Sequence, residues 1–137
     1  RIFSDASVIK IFHAPRGDMR WLRLNFDLGV RSLFDTAAAS LHLRQAASPR
    51  SSAWRGTPSL QALCAEYLGL RVDKTHQRSD WRLRPLPDEM LAYAASDARL
   101  LLPLAQSLVQ QLLDAGCLGA ACKALLPLER SGSKSGD

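Results

Sequence analysis

The chain has 137 residues, 47% hydrophobic and 23% charged, with a formal net charge of +5 and a pI near 9.6. That length fits one domain with a buried core, and the composition excludes a low-complexity or disordered chain. No apolar run reaches the roughly 20 residues of a membrane span, and no secretory signal is visible. Of the 18 basic residues 14 are Arg; the excess suits a phosphate-rich partner, and an Arg-rich codon bias would produce it as well. The cysteines, Cys64, Cys117 and Cys122, sit in apolar stretches, which suits buried thiols in a reducing compartment. Cys117 and Cys122 have no His or second Cys pair beside them, which argues against zinc.

The first residue is Arg, and residues 1–6 read as the end of a helix, so the chain reads as part of something longer. Residues 8–13 (Val-Ile-Lys-Ile-Phe-His) are a short apolar run with β-branched members, which predicts a strand. Ala14-Pro15-Arg16-Gly17 is a turn. A helix over 18–26 follows, with Met19, Leu22 and Phe26 at helical spacing and Gly29 as its C′ residue. Residues 30–34 predict a second strand, and Asp35-Thr36 caps a helix over 37–43. Strand–helix–strand–helix order predicts an α/β layered domain.

Residues 45–57 carry Ser, Pro and Gly without periodicity and predict a surface loop, with Trp54 either stacking on a base or tucked onto the domain. A helix over 59–68 puts Leu60, Leu63, Cys64 and Tyr67 on one face and ends at Gly69. Residues 71–84 are polar and irregular. Pro85 and Pro87 then lead into a helix whose first turn holds Asp88 and Glu89, suited to the helix dipole. Leu91, Ala94, Ala95, Ala98 and Leu101 recur at helical spacing. Pro103 predicts a kink or restart, with further helices over 104–113 and 118–126. The 131–137 tail reads as disordered.

Two carboxylates and a phenol stand out. Tyr93 and Asp97 lie four apart and project from one helix face. Asp18 follows a strand and a turn, where α/β domains place ligand-binding groups; a plain helix N-cap is the alternative. A divalent cation links such groups, because hard cations take one or two carboxylates plus substrate phosphates. Tyr93 could then hold the attacking water. Arg16, Arg20, Arg23 and Arg31 form a basic rim near Asp18, or Arg20 and Arg23 are its solvated face. His13 reads as a structural hydrogen bonder, and His42 and His76 as surface residues.

The runs His13-Ala14-Pro15-Arg16-Gly17-Asp18, Leu33-Phe34-Asp35-Thr36, the segment 73–86 with Asp80-Trp81-Arg82-Leu83-Arg84-Pro85-Leu86, and Tyr93-Ala94-Ala95-Ser96-Asp97 resemble the RNase D family. The segment 80–90 is the most specific part and is similar to the exosome-associated branch. The resemblance spans roughly residues 2–113. It implies an α/β, ribonuclease H-like (DnaQ-like) fold, here partial, with the first strands missing and a helical C-terminal part. The corresponding division is 1–115 for the C-terminal portion of a 3′→5′ exonuclease domain, 116–130 for a helical extension and 131–137 for the tail.

The resemblance also implies chemistry of the DEDDy type with two Mg²⁺ or Mn²⁺ ions. Asp18 and Asp97 match metal ligands, Tyr93 the residue positioning water, and Lys74 a basic residue lining the site; Arg16 and Arg20 are the phosphate-reaching candidates. Asp80 and Trp81 read as a structural pin. Two departures stand against the pattern. The family's Asp-x-Glu pair occurs nowhere in this chain, and Pro58 stands where a His often precedes the next helix. The implied substrate is the single-stranded 3′ end of RNA, with DNA as the alternative, and the implied setting is intracellular, nuclear and exosome-type. The isolated fragment is expected to be inactive. A non-catalytic nucleic-acid-binding or scaffolding relative is the other reading.

Overall fold

A computed structural model describes residues 2–49 and 56–125. Trp54 and the 131–137 tail, for which expectations were stated above, lie outside the described residues. The N-terminal stretch is a single 3-10 turn, Ile2–Ser4. Strand β1 (Lys10–Phe12) and strand β2 (Leu33–Asp35) pair in parallel, Lys10 beside Leu33 and Phe12 beside Asp35. Helix α1 (Arg16–Phe26) makes the crossover between them. Both strands are shorter than the apolar runs that predicted them. Lys10 is buried inside β1 because its ammonium donates to the Asp5 and Val8 carbonyls at 2.5 and 2.7 Å.

Helix α2 (Thr36–Ala47) starts as expected: the Asp35 carboxylate accepts from the Ala37 N–H at 2.9 Å. The same oxygen accepts from the Ala14 N–H at 2.9 Å, tying the turn after β1 to the end of β2. Helix α3 (Leu60–Leu68) is capped by Ser59 and closed by Gly69 at φ 67°, a left-handed conformation that suits a residue without Cβ. Helix α4 (Asp88–Asp114) and helix α5 (Leu118–Leu125) complete the order. The core is helical: Ala39 of α2, Leu63 and Cys64 of α3, Leu104, Leu108 and Leu112 of α4, and Ala121 of α5 are all fully buried. Arg44 and Glu66 join α2 to α3 with an ion pair.

Three expectations are corrected. Helix α1 closes at Asp27, whose φ of 48° is left-handed, rather than at Gly29; Asp tolerates this conformation better than most residues. Pro103 does not restart the helix: α4 runs through it as one element. It costs one backbone hydrogen bond, and the next residues, Leu104, Ala105 and Leu108, are buried and anchor the helix beyond it. Finally, Leu91, Ala94 and Ala98 are exposed rather than packed. The buried face of α4 starts at Met90, passes through the half-buried Tyr93, Asp97 and Leu100, and reaches Leu104.

Candidate active site

Helical spacing of four puts Tyr93 and Asp97 one above the other on α4. They open onto a cavity of about 350 Å³ between α4 and the irregular segment before it. Asp73, His76, Glu89 and Ser96 line the same cavity. Its lining holds three carboxylates and neither Lys nor Arg.

Segment 73–84 is irregular but bonded throughout. The Asp73 carboxylate accepts from the Thr75 N–H at 2.9 Å and hydroxyl at 2.6 Å, a side-chain-closed turn. The His76 carbonyl accepts from the Ser79 N–H and from the Trp81 indole N–H, both at 3.2 Å. Asp80 and Arg82 pair at 2.8 Å. The His76 and Trp81 rings lie against Tyr93, with centroids 5.8 and 6.1 Å away.

Burial raises the Asp97 carboxyl above the ordinary carboxylate range, and the Asp73 charge adds to this. A hydrogen bond from Tyr93 works in the opposite direction. Burial also raises the Tyr93 phenol, followed by the charges of Asp97 and Asp73. The site therefore keeps the phenol protonated and favours an arriving cation.

The other expected residues lie elsewhere. Asp18 is on the first turn of α1 and exposed, as are Arg16 and Arg20, and none of them lines this cavity. Arg23 pairs with Asp27 at 3.4 Å. Lys74 is exposed, next to Asp73. His13 bonds structurally as expected, with Nδ1 3.0 Å from the Thr36 hydroxyl and Nε2 2.9 Å from the Pro58 carbonyl. His76 corrects an expectation: it is half-buried against Tyr93 rather than a surface residue. Asp73, His76 and Glu89 were missed as site residues. The Asp-x-Thr turn signature at Asp73 was the available signal for the first.

The cavity's carboxylates are hard oxygen donors, suited to Mg²⁺ or Mn²⁺. Among the described residues, however, no three His, Cys, Asp or Glu are grouped so as to hold a metal ion. The described donors thus fit one side of a metal site and do not by themselves complete one.

An α/β chain with a Tyr–Asp helix turn beside an acidic cavity defines a candidate hydrolase wall. Residues 1–113 match the family described as a 3′-5′ exonuclease, and the chain belongs to that family. Its relatives are of the Rrp6 and RNase D type. It is 40% identical over 111 residues to "Protein RRP6-like 3" of Arabidopsis thaliana, covering 81% of this chain and 11% of the relative. It is 35% identical over 113 residues to mouse "Exosome complex component 10", covering 82% and 12%. The chain thus spans about a tenth of the length of these relatives.

Solved structures agree. The catalytic core of RRP6 from Trypanosoma brucei superposes with a TM-score of 0.75 at 32% identity, covering 90% of this chain and 32% of that one. Escherichia coli RNase D gives 0.72 at 29%, covering 90% and 32%. Brucella melitensis NrnC with bound Mg²⁺ gives 0.74 at 30%, covering 90% and 56%. The fold is therefore a partial ribonuclease H-like exonuclease core, as the sequence motifs implied.

Proposed function

We propose that this chain forms one wall of the active site of a metal-dependent 3′→5′ exoribonuclease. The observation that carries the reading is the Tyr93–Asp97 turn of α4 facing Asp73 across the acidic cavity. Water attacks the phosphorus of the last phosphodiester, the P–O3′ bond breaks, the leaving 3′-oxygen takes a proton, and a nucleoside monophosphate departs. Tyr93 orients the water through its protonated phenol. Asp97 would ligate metal from the cavity and Asp18 from the start of α1 outside it; Lys74, Arg16 and Arg20 would meet backbone phosphates. Two bound Mg²⁺ or Mn²⁺ ions would supply water activation and stabilisation of the leaving oxygen.

The substrate is RNA with a single-stranded 3′ end. Support comes from the exosome-component relatives and from Brucella NrnC, solved bound to pGG. The exosome-component relatives also support an exosome-type assembly, and a nuclear setting is part of the same proposal. Among the described residues no helix is long and apolar enough to cross a membrane.

One observation favours a second reading, a non-catalytic RNA-binding or scaffolding relative: the chain has no Asp-x-Glu pair. Trimming of 3′-labelled RNA by the full-length protein, with Mg²⁺ and with chelator, separates the two. Mg²⁺-dependent trimming lost in Asp97→Asn supports the enzyme. Wild type no faster than Asp97→Asn supports the second reading. The 137-residue chain alone is expected to trim little or nothing; robust trimming by it would show that the missing pair is dispensable.

A further inference from the structure

Tyr93 is half-buried on α4, while its chain neighbours Ala92 and Ala94 are small and exposed. A helical Tyr has more than one staggered rotamer open to it, so its own helix does not fix where the hydroxyl points. Two rings from segment 73–84 do. His76 meets the Tyr93 ring edge-on, 5.8 Å away at 72°. Trp81 meets it tilted, 6.1 Å away at 45°. Both separations fall in the range where aromatic pairs attract.

We propose that His76 and Trp81 are positioning residues, a two-ring clamp that sets the Tyr93 hydroxyl against the Asp97 carboxylate. The proposal rests on the reading of Tyr93 as the group that orients water. The clamp is built independently of the ring it holds. Trp81 is fixed by its indole N–H on the His76 carbonyl at 3.2 Å. His76 is fixed by its Nδ1, 3.0 Å from the Ser79 hydroxyl. The Arg84 guanidinium donates to the Trp81 carbonyl at 3.0 Å. The same segment carries Asp73 in the cavity wall and Lys74 beside it. One collar thus aligns the phenol with the groups that meet the substrate.

The test is steady-state trimming of 3′-labelled RNA by the full-length protein, resolved into kcat and KM, with melting by circular dichroism on each variant. Trp81→Ala and His76→Ala are expected to lower kcat about 10- to 100-fold, the scale of a misplaced reacting group, with KM within about twofold. Trp81→Phe keeps a ring in place and is expected to recover most of kcat. If both alanine variants keep kcat within twofold while Tyr93→Phe loses activity, the clamp fails and the role of Tyr93 stands. If Tyr93→Phe trims like wild type, the reading of Tyr93 fails and takes the clamp with it. If Trp81→Phe is as slow as Trp81→Ala, ring contact is not the cause and the clamp is overturned. Should Trp81→Ala not fold, His76→Ala and Trp81→Phe decide the question.

Discussion

His13 and Pro58, 45 residues apart, are joined by a 2.9 Å hydrogen bond between Nε2 and the carbonyl oxygen. A carbonyl only accepts, so Nε2 carries a proton; Nδ1 lies 3.0 Å from the Thr36 hydroxyl, which itself donates to the Phe12 carbonyl at 3.2 Å. Burial lowers the His13 pKa below 6.5, against smaller opposing effects from the Pro58 bond and the Asp35 charge. The folded state therefore takes up the second ring proton, the one at Nδ1, less readily than the unfolded chain does. The stability that the neutral ring confers is present above about pH 6.5 and is lost as pH falls toward the lowered folded value. The urea midpoint should decline over that window, and His13→Gln should flatten the decline. An unchanged slope in the variant would remove His13 as the cause.

Asp35 holds two backbone donors at once, Ala14 and Ala37. Asp35→Ala should cost about 1–2 kcal/mol, the upper part of the range for a lost helix cap. Asp35→Asn, which keeps an acceptor, should cost less than half of that. Equal losses in thermal unfolding would mean that charge, not capping, is what matters there.

Leu108 is fully buried in the helical core, while Leu102 is 56% exposed on the same helix. Leu108→Ala should cost about 2–5 kcal/mol, and Leu102→Ala about 0.5 kcal/mol or less. Chemical denaturation of the two variants measures the contrast directly.

Asp97 runs the opposite way from His13. Its raised carboxyl means that the folded state holds the proton more tightly, so stability falls as pH rises from 3.8 through the raised value. Asp97→Asn should be neutral or slightly stabilising at pH 7, by about 0.5 kcal/mol at most. The same substitution should abolish Mg²⁺-dependent trimming. In wild type, activity should fall with acid at a higher pH than an ordinary carboxylate would dictate, because metal binding requires the ionised form. An Asn variant that melts several degrees lower would contradict the assignment of Asp97 as a strained, functional carboxylate.

The elements were legible where local chemistry decides them. Asp35 and Ser59 announce helix starts, Gly69 a helix end, and the 8–13 run a strand. What escaped was decided by tertiary context. The burial of Leu104 and Leu108 carried α4 through Pro103, and Asp27 rather than Gly29 took the left-handed cap. The site divides in the same way. Tyr93 and Asp97 follow from a four-residue spacing and from family motifs. His76 does not, because its role depends on a ring contact across 17 residues that no periodicity encodes. The Asp-x-Glu absence was plain from the sequence.

Helix α4 is a beam held more firmly at one end than at the other. Beyond Pro103 it is built into the core through Leu104, Leu108 and Leu112, and before Pro103 it buries Met90. Pro103 has no N–H to offer the Arg99 carbonyl, so the beam is softest where its two regimes meet. The part before Pro103 carries Tyr93 and Asp97, and His76 and Trp81 of the 73–84 collar pack their rings against it. Amide exchange should accordingly be slow after residue 104 and faster over 91–99. Loosening the collar should quicken the second group alone, leaving the global unfolding free energy where it was.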